Sequence, residues 1–236
     1  MQGTLVRVGI DSTCGHWHGP CTSDSRYLYV PIPESENREF RRNLRRSYRE
    51  LEGFLAVFDL SLPDHLRSRG MHLDPDFDHL TYGDQSQRAA QLQQMAAGDF
   101  LAFYGAFQNY HDPGERLSYC LFGVLTITET ESATDVPEHR WHENAHTRRL
   151  LSPDNRDIVV RGGSRSSGRF NKLLPIGEFR NRAYRVRKDL LKEWGDLDIS
   201  DGYLQRSARL PNFVEPDRFL LWLDSQEVSL VHCNWE

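Results

Sequence analysis

The chain has 236 residues, a length that suits one large domain or at most two small ones. Its 38% hydrophobic content is enough for a buried core, and its mean hydropathy of -0.64 indicates a very polar surface. Because no run of about eighteen apolar residues occurs, a membrane-spanning helix is excluded. The formal net charge of -5 gives no overall attraction to nucleic acid, so any such contact must be local.

The N-terminal residues and the cysteines bear on the cellular compartment in which the protein is expected. The opening residues MQGTLVRVGIDS lack the basic region and apolar stretch of a signal peptide, so none is expected. The cysteines (Cys14, Cys21, Cys120 and Cys233) form no tight framework, which fits reduced thiols. We therefore predict a cytoplasmic protein.

The N-terminal half predicts two strands followed by two helices. TLVRVGI and RYLYVPIP have strand character, and the prolines of the second should end it. Apolar residues recur every three or four positions over residues 40–58, which predicts an amphipathic helix that stops before Pro63. Residues 85–97 predict another helix, with Gly98 as its C-cap.

The C-terminal half predicts mainly strands. GDFLAFYGAF and LSYCLFGVLTITET, separated by DPGER, are typical of a strand pair, and RDIVVRGG of a further strand. YRVRKDLLKEWGDL predicts a short helix with Leu190, Leu191 and Trp194 inward, and RFLLWLDSQEVSLVHCNWE predicts two strands around a DSQE turn. No linker is visible, so we predict a single α+β domain over residues 1–236, with a mixed or antiparallel sheet and flanking helices.

The predicted strand pair also resembles the central pair of PUA-like barrels, the superfamily of ASCH, EVE and YTH domains. There, a Gly-Asp turn leads into a strand that ends in Phe-Tyr, and a Gly-containing strand returns beside it, as in GDFLAFYGAF and CLFGVLTITE here. The resemblance implies a small β-barrel core with a pocket for a nucleobase or nucleotide.

The first candidate site is the loop GIDSTCGHWHGPC. Its thiol and imidazole groups suit zinc, although their spacing is not a standard zinc pattern; they are Cys14, His16, His18 and Cys21. One alternative is a ligand loop that uses Asp11, Ser12 and backbone N–H groups, and another is a glycine-rich turn with incidental polar groups. A nucleophilic Cys14 or Cys21 would require a base or a positive field that lowers its pKa.

The second candidate is MHLDPDFDHLTYGDQ, in which turns at Asp74-Pro75 and Gly83-Asp84 place polar groups on irregular backbone. Asp74 and Asp84 are candidate general acids or bases, and His72 titrates in the range needed for proton transfer. The alternative interpretation makes the aspartates N-caps, Asp84 for the helix at residue 85, and His72 a core histidine.

Two further segments are candidates for ligand contact. In HRWHENAHTRR, His142, Asn144 and His146 alternate, so in a strand they would face a metal or a purine edge together; the alternative is a surface loop. Residues 156–192 hold 11 Lys/Arg and 3 acidic residues. Within them, RGGSRSSGRFNKLLPIGEFRNR, with Ser164 and Arg165, is suited to phosphate but has no Walker motif, and the alternative is a flexible solvated loop.

Seven stretches, in order across nearly the whole chain, resemble the nucleotide-modification-associated domain family, third type. They are VGIDSTCG, YVPIPE, MHLDPDFDHLTYGD, GDFLAFYGAF, SYCLFGVLTI, VVRGGSRSSGRFNKLLPI and YLQRSARLP. The resemblance implies a role in systems that modify DNA bases, with other proteins of such a system as partners. It favours as site residues Asp11, Ser12, His72, Asp74, Tyr82, Asp84, Asn144, His146, Ser164, Arg165, Gln205, Arg206 and Ser207. The chain departs from the family pattern in CGHWHGPC and in the extension from Arg218 onward.

Together these features predict an enzyme that acts on a modified base or nucleotide of DNA. Asp11, His72, Asp74 or Asp84 would transfer protons, Trp17 or Tyr82 would stack on the base, and Asn144 or Gln205 would read its edge. One example is hydrolysis of the nitrile of a 7-deazaguanine, with Cys14 or Cys21 as nucleophile. No cofactor is predicted apart from the zinc alternative. Rival hypotheses are a non-catalytic PUA-like reader of a modified base and a structural subunit of a modification complex.

Overall fold

The strands and helices of the chain surround one large sheet. The structure is a computed structural model that describes residues 1–112, 114, 116–204 and 207–235. Its strands are β1 (Gly3–Arg7), β2 (Gly19–Pro20), β3 (Ile32–Pro33), β4 (Met71–His72), β5 (Thr81–Asp84), β6 (Phe100–Gln108), β7 (Ser118–Ser132), β8 (Ile158–Gly162), β9 (Gly168–Pro175), β10 (Gly177–Arg180), β11 (Ala183–Val186) and β12 (Leu230–Val231). Its α-helices are α1 (Glu52–Leu55), α2 (Asp64–Arg67), α3 (Ser86–Leu92), α4 (Ala145–Arg148), α5 (Lys188–Trp194) and α6 (Pro216–Ser225). Short 3-10 helices span Tyr48–Leu51, Ala56–Phe58, Glu138–Glu143 and Ser200–Gly202.

The central sheet is mixed and follows the order β1-β6-β7-β8-β5. β1 and β6 are parallel, whereas β6–β7, β7–β8, β7–β9 and β5–β8 are antiparallel. The long β7 contributes its first part to β6 and β9 and its last part to β8. Two small ladders, β3–β4 and β10–β11, lie outside this sheet. The predicted mixed sheet with flanking helices is confirmed.

Both faces of the sheet are buried, and alternate residues of β6 belong to different cores. Leu101 and Phe103 point into one hydrophobic cluster, whereas Phe100 and Tyr104 point into another. The second cluster is covered by α5 and α6, which contribute Trp194 among others. A strand buried on both sides needs apolar residues at every position, which explains the continuous run FLAFYGAF.

The predicted helix over residues 40–58 is shorter than expected, because a capping box sets its start. The Ser47 hydroxyl accepts from the Arg49 N–H at 3.3 Å, and the Glu50 carboxylate accepts from the Ser47 N–H at 2.7 Å. Helical turns therefore run from Tyr48 to Phe58, and they pack in a third cluster with Met71. The predicted helix over residues 85–97 is also shorter, since α3 ends at Leu92.

The C-terminal prediction of two strands is wrong for its first run. Pro216 begins α6, and Phe219 and Trp222 are buried one turn apart against Trp194. The second run forms only β12, which pairs with β9. RYLYVPIP likewise pairs as a strand only at Ile32–Pro33.

Two further expectations concern closure of the sheet and membranes. Among the described strands, the pairings run along an open sheet without closing into a ring, so the PUA-like barrel is not confirmed. No helix among the described residues combines the length and apolar character needed to cross a bilayer.

Candidate functional site

A polar cavity of about 310 Å³ opens where the β3–β4 ladder, β5 and the residues after α4 meet. Ionisable and polar side chains dominate its wall: Arg7, Glu34, Arg38, His72, Asp74, Tyr82, Asp84, Gln85, Arg88, His146 and Arg149. Seven of these come from stretches that the sequence analysis treats as candidate sites, namely His72, Asp74, Tyr82, Asp84, Gln85, His146 and Arg149. The volume lies at the lower end of the roughly 300–1,000 Å³ typical of small-molecule sites.

Asp74 lies at the floor of the cavity and is 6% exposed. Both its carboxylate oxygens accept the Gly83 N–H, at 2.9 and 3.0 Å, and Oδ1 also accepts from Asn144 Nδ2 at 3.1 Å. Oδ2 lies 3.8 Å from His72 Nε2 and 3.5 Å from His146 Nε2. The Gly83 N–H and Asn144 thus fix the orientation of the carboxylate, and Oδ2 faces the two imidazoles.

His72 is held from the opposite side of its ring. β4 pairs with β3, which brings Glu34 beside the ring, and the Glu34 carboxylate lies 2.8 Å from His72 Nδ1. Arg149 completes the group with a two-point ion pair to Glu34, at 3.2 and 2.7 Å. Burial raises the pKa of Glu34, but His72 and Arg149 outweigh this and lower it to about 2. For His72 burial dominates and lowers the pKa, although Glu34 opposes this.

His146 has the same arrangement with a different carboxylate. Its Nδ1 lies 2.7 Å from Asp157 Oδ2, and its ring is 5.0 Å from that of His72, edge to face. Burial lowers the pKa of His146, but the hydrogen bonds with Asp157 and Asp74 raise it to about 9. Each of the two histidines therefore has one carboxylate at Nδ1 and shares Asp74 at Nε2.

Asn144 and His146 reach the site by a helix and not by the predicted extended strand. Asn144 is the N-cap of α4, and its side-chain oxygen accepts from the His146 N–H at 2.8 Å. His142 lies in the preceding 3-10 helix and packs its ring 5.0 Å from His79 instead. The predicted common face of the three residues is wrong, because the chain turns between Glu143 and Ala145.

Positively charged side chains lie around the cavity wall. Arg7 pairs with the buried Asp11 at 3.0 Å, Arg88 lies 3.6 Å from Asp84, and Arg38 is exposed. Two of these arginines also donate to backbone carbonyls: Arg7 donates to that of Leu204, and Arg88 donates to that of Ser207. Guanidinium groups of this kind match the geometry of phosphate oxygens.

Tyr82 and Asp84 form one edge of the cavity on β5. The Tyr82 hydroxyl donates to Asp84 Oδ2 at 2.5 Å. Burial and the neighbouring carboxylates raise the pKa of Tyr82, so its phenol stays protonated. Asp84 does not cap α3, since Gln85 holds the N-cap position. The capping interpretation of Asp84 is therefore wrong.

The first loop lies apart from the centre of the cavity. Asp11 fixes the loop, because its Oδ1 accepts the N–H groups of Thr13 and Cys14 at 2.8 and 2.7 Å. Cys21 is buried in the main hydrophobic cluster, Cys14 is half-buried, and His16 and Ser12 are exposed. Trp17 packs on Tyr110 at 6.1 Å and is not among the described residues that line the cavity.

The predicted zinc ligands are not brought together. Within the part of the chain that the structure describes, one group of at least three His, Cys, Asp or Glu side chains has its ligand atoms within 4.8 Å: His72, Asp74 and His146. Cys14, His16, His18 and Cys21 form no such group.

Several arginines of the predicted basic segment form ion pairs within the protein. Arg161 pairs with Glu131 at 2.8 Å, and Arg180 and Arg185 both pair with Asp201. Ser164 and Arg165 lie on the exposed turn between β8 and β9, away from the cavity wall. Ser207 is exposed, and Gln205 and Arg206 lie outside the described residues.

Sequence reasoning missed the groups that hold the two histidines. Glu34 follows a proline-rich strand end, and Arg149 and Asp157 flank an unremarkable loop, so no local pattern distinguishes them. One signal was present: a short stretch YVPIPE preceding MHLD, which would place Glu34 beside His72 if the two paired as strands. Only the pairing of β3 with β4 brings them together.

Comparison with known protein families identifies the family of the chain. The family described as nucleotide modification associated domain 3 matches residues 3–209. The chain belongs to this family. The match includes Glu34, the two histidines, Asp74 and Asp157, and it ends before α6. Searches of curated proteins and of solved structures find no significant match.

Gly83 is required where β5 passes the site. A Cβ at this position would lie 2.5 Å from His146 Cδ2 and 2.9 Å from Asn144 Oδ1, so either side chain would have to move. We expect Gly83→Ala to lower the free energy of unfolding by about 1–3 kcal/mol, measured by urea denaturation. Gly53→Ala is the matched control, since nothing lies within 4 Å of its added methyl group and α1 favours alanine. Equal stability of the two variants would contradict the predicted clash.

Proposed function

We propose that this protein is an enzyme of a nucleotide-modification system, which binds a nucleotide unit in the cavity and reacts at Asp74 between His72 and His146. Membership of the family supports the general role. The observation that carries the proposal is that one cavity combines several arginine side chains with a buried carboxylate and two imidazoles. The family description points to nucleotides or nucleic acids as the molecules acted on. Within this range, we propose a modified base in DNA as the substrate.

The arginines support an anionic substrate. Arg38 is exposed at the wall and Arg7 and Arg88 are partly accessible, while Arg149 is engaged with Glu34. A phosphate on the outer arginines would leave the sugar and base to extend toward Asp74. A base in duplex DNA would have to leave the stack to enter, which costs a few kcal/mol.

The inner residues support proton transfer. The carboxylate of Asp74 would accept a proton. The pKa values of the two imidazoles are shifted in opposite directions: that of His72 is lowered and that of His146 is raised. A pair of titratable groups with divergent pKa values, sharing one carboxylate, suits general acid and general base roles. Tyr82, on the cavity edge, holds a protonated hydroxyl that donates to Asp84, while its ring is buried against Phe103 and is not exposed for stacking on a base.

The nitrile of a 7-deazaguanine in DNA is a specific form of this proposal. Addition of one water to the C≡N bond gives an amide. The water oxygen bonds to the nitrile carbon, Asp74 would accept one proton and pass it to the nitrile nitrogen, and the second proton moves from oxygen to nitrogen as the amide forms. Cys14 and Cys21 are not among the described residues of the cavity wall, which favours water over a thiol as nucleophile. None of the four cysteines forms a disulfide in the structure, which supports the reducing cytoplasm as the proposed location of this system.

Nucleoside mass spectrometry tests the proposal. DNA and the free nucleotide pool of the native host are digested and compared with and without this chain, and the deletion strain is complemented with the wild-type chain. We expect one nucleoside to change mass on deletion and to return on complementation, and the mass difference names the reaction.

An unchanged profile in both DNA and pool would contradict an enzyme. A reader would then be favoured if the purified chain binds host DNA with an affinity that falls as salt rises, because phosphate contacts release counterions. Failure to bind DNA at any salt concentration would favour a structural subunit of the modification complex.

A further inference from the structure

We propose that His72 Nε2, Asp74 Oδ2 and His146 Nε2 bind a divalent transition-metal ion at the floor of the cavity. Two imidazoles and one carboxylate form a ligand set that leaves further coordination positions open. The site does not depend on the substrate proposed above. With an ion bound, Nε2 of each histidine and Oδ2 of Asp74 would be ligands, so the ion, and not these atoms, would activate the water in that reaction.

The distances fit a metal centre better than a hydrogen-bonded cluster. Ligand atoms about 2.1 Å from a metal and at tetrahedral angles lie about 3.4 Å from one another. Asp74 Oδ2 lies 3.5 Å from His146 Nε2 and 3.8 Å from His72 Nε2. The second distance is too long for a hydrogen bond.

The outer carboxylates assign the tautomers that a metal requires. Glu34 and Asp157 lie 2.8 and 2.7 Å from the Nδ1 atoms of His72 and His146. A carboxylate only accepts, so each Nδ1 carries the proton and each Nε2 keeps its lone pair for the cavity. Arg149 Nη2, which is also close to His72 Nδ1, donates to the second oxygen of Glu34.

Asp74 is oriented in the same way. The Gly83 N–H contacts both oxygens, Oδ1 also accepts from Asn144, and Oδ2 is the oxygen that faces both imidazoles. All three ligands are buried, yet each lines the cavity, so an ion would be shielded on the protein side and reachable from the other.

The charges of the surrounding groups are compatible with a cation. The groups that contact the two imidazoles are three carboxylates and one guanidinium: Glu34, Asp74, Asp157 and Arg149. With a divalent ion bound, both imidazoles would be neutral, and the three carboxylates would balance the guanidinium and the ion in this buried cluster.

The ligand chemistry selects the class of ion. Imidazole nitrogens favour Zn²⁺, Fe²⁺ and related transition metals, whereas Mg²⁺ and Ca²⁺ prefer oxygen ligands. The open positions would face the arginines, so a substrate held by its phosphate could bring a reacting atom to the ion.

Metal binding to the purified full-length chain tests this site without any nucleotide. The protein is stripped with a chelator and titrated with Co²⁺, followed by visible absorption, and with Zn²⁺ against a chromophoric chelator. We expect about one ion per chain and a rise in the unfolding temperature of the wild type on binding. Glu34→Gln and Asp157→Asn should weaken binding about 10–100-fold, because they leave the three ligands in place but remove the oriented acceptor charge.

Ligand variants and controls make the result decisive. His72→Ala and Asp74→Asn should abolish binding, and His16→Ala and Cys14→Ala should leave it unchanged. Circular dichroism of the metal-free forms identifies any variant that fails to fold. If a ligand variant does not fold, Glu34→Gln and Asp157→Asn take its place in the comparison with the wild type. The proposal is overturned if the folded wild type binds neither ion, or if Cys14→Ala loses binding while His72→Ala keeps it.

The two proposals fail separately. A wild type that binds metal in a host whose nucleosides do not change on deletion keeps the metal site and removes the enzyme function. If the nucleosides change on deletion but the purified chain binds no metal, the enzyme function is kept and the metal site is removed.

Discussion

Asp74→Asn should lower the rate at which a complemented deletion strain regains the affected nucleoside by about 10²–10⁴-fold, the range expected when a group that transfers a proton in the reaction is lost. The substitution keeps the size of the side chain but removes its charge. Asn can still accept the Gly83 N–H, yet it cannot take a proton, and it is a poor metal ligand. The measurement is the initial rate of nucleoside recovery after induction, by mass spectrometry.

Asp59→Asn is the matched control for Asp74→Asn. Asp59 is exposed, and its left-handed backbone (φ 52) is one that Asn tolerates, so recovery should proceed at the wild-type rate. Binding of the identified nucleotide to Asp74→Asn, measured by calorimetry, should change far less than the rate, because the outer arginines remain. Recovery at the wild-type rate with a stable, folded Asp74→Asn would remove Asp74 from the reaction.

The sequence predicted the residues at the centre of the site better than those that support them. Asp74, His72 and His146 stand in dense polar stretches, and turn-forming residues beside Asp74 indicated irregular backbone. Their supporting partners are distant in sequence: Glu34 meets Arg149 only through the β3–β4 ladder and the end of α4. Single-sequence patterns report local conformation, so such long-range pairs are not predictable from them.

The errors in the fold have a similar cause. The run FLLWL is compatible with a buried strand or a helix. It forms a helix because Pro216 starts α6 and Trp222 packs on Trp194. The strands β6 and β7 were predicted well because both are long, apolar and rich in aromatic and β-branched residues.

The basic segment shows why charge in sequence does not locate a ligand. Arg161 and Arg180 have acidic partners from other parts of the chain, Glu131 and Asp201. The arginines that line the cavity lie outside this segment; they are Arg7, Arg38, Arg88 and Arg149. Electrostatic sites are therefore formed by the fold, after internal ion pairs have been made.

The loop that carries Asp74 is anchored by a buried ion pair two residues further on. Asp76 is fully buried and accepts from Arg148, and its other oxygen accepts from Asn234 Nδ2 at 2.9 Å. Burial raises the pKa of Asp76, but His79 and Arg148 lower it to about 2. Because Arg148 is the last residue of α4, this pair joins the Asp74 loop to the helix that carries His146.

Asp76→Ala should therefore lower the free energy of unfolding by about 3–5 kcal/mol, because it leaves the Arg148 guanidinium buried without its partner. The measurement is urea unfolding followed by circular dichroism, with the slope compared to detect any change in the surface exposed. The double variant Asp76→Ala/Arg148→Met should regain part of the loss, since no buried charge then lacks compensation.

Asp64→Ala gives the contrast that isolates burial. Asp64 pairs with Arg67 at 3.0 Å, but its side chain is 98% exposed, and water screens the interaction. Its removal should leave the free energy of unfolding nearly unchanged. If Asp76→Ala were equally mild, or the double variant were the sum of the single ones, the ion pair would not anchor the loop. The positions of Asp74 and His146 would then depend on the direct contacts through Asn144 and Gly83 alone.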